Sequence, residues 1–145
     1  MTPWDAELVG LVTLPDGRQL RGRGLSDGAP TGNAVPEFGL YLTATPPTEI
    51  AWESGWVNWP DFGLPRSAED ALEAIRDAYE RSVHMRVEIA CDGGQGRTGT
   101  ALAILARFAG VPAADVVAWV RANYRPNAIE TPQQRRFARS AKLAS

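Results

Sequence analysis

Apolar and polar positions lay out the elements of this chain before any chemistry is considered. Glu7 to Leu14 is apolar and β-branched, and Arg18 to Leu25 alternates, so both predict strands. Pro15-Asp16-Gly17 between them predicts a turn, because proline presets φ and glycine accepts a positive φ. Ser26 to Pro36, rich in Gly, Pro, Asp and Asn, predicts a loop. Phe38 to Thr43 predicts a strand, and Thr48 to Pro60 a short strand around Ile50 that ends in a loop. From Ser67 to Val83 the apolar stripe Ala71, Leu72, Ile75 and Tyr79 predicts a helix, with Ser67 as N-cap and Glu69 and Asp70 at the positive end of its dipole. Met85 to Ala90 predicts a buried strand, and Thr98 to Ala109 a helix stopped by Gly110. Pro112 opens a helix to about Asn123, which Arg125-Pro126-Asn127 breaks. Thr131, Pro132 and Gln134 form a capping box that starts the last helix. Strands come first and helices later, with one strand between helices, so the expected class is α/β with helices packed on a central sheet.

Composition narrows this only a little. The 145 residues suit one compact domain, and no repeat or linker divides residues 1–145. A net charge of −2 lacks the electrostatic footprint of a nucleic-acid binder. No apolar run is long enough to span a bilayer, and the N-terminus lacks the basic and apolar regions of a secretion signal, so no membrane partner is expected. One cysteine and one histidine, His84, exclude a Cys-rich zinc site or a His cluster, and neither metal nor other cofactor is expected. A lone cysteine also makes no internal disulfide, and a reduced thiol suits the cytoplasm.

That cysteine carries the chemistry. Cys91-Asp92-Gly93-Gly94-Gln95-Gly96-Arg97-Thr98 joins the strand ending at Ala90 to the following helix. Successive backbone N–H groups ending at a helix N-terminus make an anion nest. Gly93, Gly94 and Gly96 let the backbone curl round phosphate oxygens without a Cβ in the way. Arg97 supplies a planar fork for two of those oxygens. In this field the thiolate of Cys91 is favoured and stands ready for in-line attack on phosphorus, while Thr98 offers the sulfur a hydrogen bond. A lone cysteine packed inertly and three turn glycines are the plain alternative; they leave Arg97, Thr98 and the strand-to-helix setting unexplained.

The pattern C-x-x-G-x-G-R-T resembles the signature loop of the Cys-based protein tyrosine phosphatase superfamily, above all its compact dual-specificity members. Trp59-Pro60-Asp61-Phe62-Gly63 is similar to that family's mobile acid loop, and Asp61 lies 30 residues before Cys91. The resemblance implies a central mixed sheet flanked by helices, with Asp61 protonating the leaving oxygen and then activating water. It implies a phosphorylated protein or peptide as substrate. Ala128 to Phe137 resembles the family's water-positioning segment, which places Glu130 and Gln134 where glutamines are usual. Gln134 thus has two readings, water positioning and the capping box.

Three departures stand out. Ala90 replaces the histidine that precedes the cysteine in most relatives, which suggests a less activated thiol. Asp92 sets a negative charge beside a dianion site. The loop lacks the lysines with which phosphoinositide phosphatases grip extra phosphates, which favours a phosphoprotein substrate. Trp52, Trp56 and Trp59 bunch before the acid, either as packing or, for Trp52 and Trp56, as a wall that stacks on a phenyl ring. The leading expectation is a phosphomonoester hydrolase for phosphotyrosine or for both tyrosine and serine/threonine phosphates. A phosphate-binding pseudo-enzyme and a rhodanese-like sulfurtransferase are the alternatives.

Overall fold

Gly10 cuts the first apolar run short. Its φ of +87° ends a turn, so the first strand, β1, spans only Leu11–Thr13. The computed structural model describes residues 3–143. β2 (Gln19–Gly24) returns antiparallel to β1 across the turn at Gly17, whose φ is +92°. β3 (Phe38–Thr43) and β4 (Glu53–Asn58) pair in parallel with each other. β5 (Val87–Cys91) inserts between β2 and β3, parallel to both, giving the order β1-β2-β5-β3-β4. The sheet is therefore mixed, with one antiparallel edge.

The helices are α1 (Ala68–Arg81), α2 (Gly96–Phe108), α3 (Val116–Asn123) and α4 (Pro132–Ser140). All four contribute to one core with Leu20, Phe38, Leu40, Leu42, Val57, Val87, Ile89 and Cys91, which share one face of the sheet. α2 is buried from Gly96 to Ala106, with sheet on one side and the other helices around it, which is why its sequence is apolar on every face. The expected α/β architecture, a mixed sheet with helices packed on it, is the one the chain forms. Among the described residues no helix is long and apolar enough to cross a membrane.

Two expectations need adjustment. The strand placed around Ile50 lies at Glu53–Asn58 instead, because Glu49 at φ +61° still turns the chain. As an edge strand β4 leaves Glu53, Ser54, Trp56 and Asn58 exposed, so its apolar signal is weak. α2 begins at Gly96 rather than Thr98, which brings Gly96 and Arg97 into its first turn. Ser67 caps α1 by accepting from Asp70 N at 3.1 Å, and the capping box of Thr131 and Gln134 opens α4.

The opposite face of the sheet is polar. Glu88 is fully buried there and accepts from Arg21 Nε at 3.1 Å and Nη2, from Arg23 Nε at 2.7 Å and Nη2 at 2.9 Å, and from Tyr41 Oη at 2.9 Å. Trp52 Nε1 donates onward to Tyr41 Oη at 2.6 Å. The two arginines keep Glu88 below the usual carboxylate range although burial acts the other way.

Candidate active site

The carboxyl end of β5, the central strand, is where ligands gather in open parallel sheets, and Cys91 is the last residue of that strand. Its side chain is packed at 1 % exposure, with Sγ turned to the loop that follows. Gly94 N donates to Sγ at 3.2 Å and Thr98 Oγ1 at 3.0 Å. Two hydrogen-bond donors thus converge on one sulfur. Gly94, at φ +74°, can take no side chain: a Cβ there would sit 2.6 Å from Gly24 N.

Arg97 is buried in the first turn of α2 and anchored by Nη1 on Trp59 O at 3.0 Å. Its Nη2 meets two carboxylates, Asp61 Oδ1 at 3.2 Å and Asp92 Oδ2 at 3.3 Å. A pocket of about 130 Å³ opens between these groups, lined by Asp61, Phe62, Cys91, Gly93, Gln95, Gly96, Arg97 and Glu130. Thiol, guanidinium and carboxylate thus meet in one small cleft at a helix N-terminus, with room for a tetrahedral oxyanion. Among the described residues, His, Cys, Asp and Glu nowhere gather in a group of three or more able to hold a metal ion.

The family model for protein-tyrosine phosphatases matches residues 35–143. The chain belongs to the protein-tyrosine phosphatase family. Among curated relatives, the uncharacterized proteins MJ0215 and MJECL20 of Methanocaldococcus jannaschii are 38 % and 40 % identical over 84 residues, 57 % of this chain in each case. The chain covers 50 % and 54 % of those proteins, so it spans about half their length. Among solved structures, Tk-PTP in the active form is 26 % identical with a TM-score of 0.60, covering 85 % of this chain and 90 % of that one. Kinase associated phosphatase, with its catalytic-site cysteine replaced by serine, has a TM-score of 0.66 over 95 % of this chain and 93 % of that one. At 11 % identity the likeness to it is one of fold.

Around this cleft the remaining expected residues fall as follows. Glu130 is exposed, lines the pocket, and approaches Gly96 so closely that a Cβ there would lie 2.5 Å from its Oε1. Gln134 is buried and does not line the pocket; Oε1 accepts from Glu130 N at 3.1 Å and Thr131 N at 3.3 Å, and Nε2 donates to Gly63 O at 3.2 Å. Asp92 turns its exposed carboxylate onto Arg97 from outside. Its carbonyl accepts from Ser26 N at 3.0 Å and Ser26 Oγ at 2.9 Å.

None of the three tryptophans lines the pocket. Trp59 is fully buried, edge-on to Phe137 with ring centroids 6.0 Å apart, and Trp52 and Trp56 spend their indole N–H groups on Tyr41 and Thr43. The aromatic at the mouth is Phe62, 62 % exposed and held at φ +59°, a conformation sparsely allowed to non-glycine residues and found where a surrounding site enforces it. Ser26, Tyr124 and Arg125 also touch the Cys91 loop, and nothing in their local sequence pointed to it.

Asp92 permits a first prediction. A bound phosphate competes with its carboxylate for Arg97 Nη2, so Asp92→Asn is expected to lower KM for an aryl phosphate about two- to fivefold, the scale of one exposed ion pair. Steady-state kinetics at low salt checks this, and an unchanged or higher KM defeats it.

Proposed function

We propose that this chain is a cysteine-dependent phosphomonoester hydrolase acting on phosphotyrosine, with phosphoserine and phosphothreonine as further substrates, in a phosphorylated protein or peptide. The observation that carries this reading is the meeting of Cys91, Arg97 and Asp61 in one pocket at the end of β5. Binding phosphate alone needs neither a thiolate nor an acid.

In the first step Cys91 Sγ attacks phosphorus, and the bond to the leaving oxygen breaks as Asp61 gives that oxygen its proton. Arg97 and the loop N–H groups hold the equatorial oxygens through the change. In the second step water attacks the phosphocysteine, Asp61 takes a water proton, and the S–P bond breaks to release inorganic phosphate. Thr98 Oγ1, already on the sulfur, eases the departure of the thiolate. Glu130 is the pocket group for orienting that water, with Gln134 holding Glu130 N from behind. Phe62 gives a phenyl ring an apolar surface beside the cradle. A reactive thiolate works in reducing surroundings, which supports a cytoplasmic placement, and the absence of a linker supports one domain over residues 1–145.

A second reading, phosphate binding without turnover, rests on Ala90 in place of the usual histidine, Asp92 beside the nucleophile and Glu130 in place of a glutamine. Hydrolysis of a chromogenic aryl phosphate in the presence of a chelator separates the two. Turnover by the wild type supports the hydrolase, whereas tungstate binding without turnover supports the pseudo-enzyme. Persulfide formation from thiosulfate would instead indicate sulfur transfer. Asp61→Asn is expected to lower kcat by about 10²–10⁴-fold, the usual worth of a positioned acid, and to make turnover fall more steeply with leaving-group pKa, because the departing oxygen no longer receives a proton. A kcat within twofold of wild type would exclude Asp61 as the acid.

A further inference from the structure

The peptide planes of the Cys91 loop must face one way to hold an anion. In a trans peptide the C=O of one residue and the N–H of the next point in opposite directions, and the described chain contains no cis bonds. Each loop carbonyl held from outside therefore turns the following N–H inward. Four consecutive carbonyls are held in this manner. Asp92 O accepts from Ser26 N and Oγ, and Gly93 O from Arg125 Nη1 at 3.0 Å. Gly94 O accepts from Tyr124 Oη at 2.5 Å, and Gln95 O from Gly99 N at 2.9 Å and Ile129 N at 3.2 Å. The Gly94 N–H, opposite the Gly93 carbonyl, indeed turns in toward Cys91 Sγ.

These four anchors are unequal. Asp92 O and Gln95 O each have a backbone donor, which the fold supplies whatever the side chains are. Gly93 O and Gly94 O depend on side chains alone, and they belong to the residues whose missing Cβ leaves their planes freest to rotate. We infer that Tyr124 and Arg125 are positioning residues that keep the Cys91 loop able to accept an anion, by holding the Gly94 and Gly93 carbonyls out of the cradle. This rests on reading the loop as a phosphate cradle.

The two residues are built for the task. Tyr124 caps α3, and its ring lies against β2 where Gly22 leaves space; a Cβ on Gly22 would meet the ring at 2.5 Å. Burial holds its phenol well above the usual range, so the group stays a donor at every working pH. Arg125 stacks over that ring, 5.1 Å from its centroid, and its Nη2 lies 3.6 Å from Asp27 Oδ2. Without the two donors a carbonyl can swing inward and place a negative dipole where a dianion must bind.

Tyr124→Phe, which keeps the ring over Gly22, and Arg125→Ala, at a partly exposed site, test this in the full chain. Tungstate affinity, KM for an aryl phosphate, and the pH profile of Cys91 alkylation by iodoacetamide are measured beside the thermal midpoint. Each variant is expected to weaken tungstate binding about three- to tenfold, the worth of one hydrogen bond, with KM rising in step and the alkylation profile moving toward higher pH. Wild-type tungstate affinity and alkylation profile in both variants would overturn the inference. If Tyr124→Phe loses its folded transition, Arg125→Ala decides alone. If the wild type binds no tungstate, the phosphate-cradle reading itself has failed, a result distinct from wild-type binding that the variants leave unchanged.

Discussion

Cys91→Ser is expected to abolish aryl phosphate turnover, by on the order of 10⁴-fold or more, while leaving the oxyanion site in place. A serine hydroxyl keeps its proton at neutral pH and is a far weaker nucleophile than a thiolate. The Sγ position receives Gly94 N and Thr98 Oγ1, both donors. As donors, they do not take a proton from a hydroxyl. The cradle is otherwise untouched, since Arg97 is anchored on Trp59 O and the loop carbonyls are held from outside. Tungstate titration of the variant should therefore give an affinity within a few-fold of wild type. Turnover within tenfold of wild type would show that sulfur is not the nucleophile.

Glu88→Ala is expected to cost about 3–5 kcal/mol of folding stability, the penalty of removing one partner from a buried ion pair. Arg21 and Arg23, nearly buried themselves, would each lose the carboxylate they share. Arg21 would keep Ala34 O and its place over the Trp4 ring, and Arg23 would keep Gly28 O. Urea unfolding reads the change as a shift in midpoint at constant slope, and a loss under about 1 kcal/mol, the scale of an exposed pair, would refute it. The pH dependence has a definite sign. Glu88 is held below its unfolded value in the native state, so its contribution is present above about pH 4.3 and is lost as pH falls through the lower native value. Wild type should lose stability over that acid range, and Glu88→Ala should lose less.

Legibility followed the range of the interactions. α1 and α4 announced themselves because their caps, Ser67 and Thr131, act within three residues. The Cys91 loop was readable because its thiol, glycines and arginine lie within seven residues. β4 was misplaced because its partner is β3 alone and its outward residues are polar or exposed, leaving Ile50 as a stronger local signal than the strand itself. Glu88 sat unnoticed in an apolar strand, since its partners Arg21 and Arg23 are 67 and 65 residues away. Arg125 looked only like part of a helix breaker. Its contact with Gly93 depends on where α3 ends in space, which no local pattern specifies.

The carbonyl of Gly63 accepts from both Trp59 Nε1, at 2.8 Å, and Gln134 Nε2, at 3.2 Å. The segment bearing Asp61 is therefore latched to the first turn of α4, and swinging it outward means releasing that latch. In the proposed hydrolase, the pace of phosphate release would then depend partly on the seating of the last helix. A change there reaches the Asp61 segment without passing through the Cys91 loop, so the last helix and the acid segment are coupled through a single carbonyl.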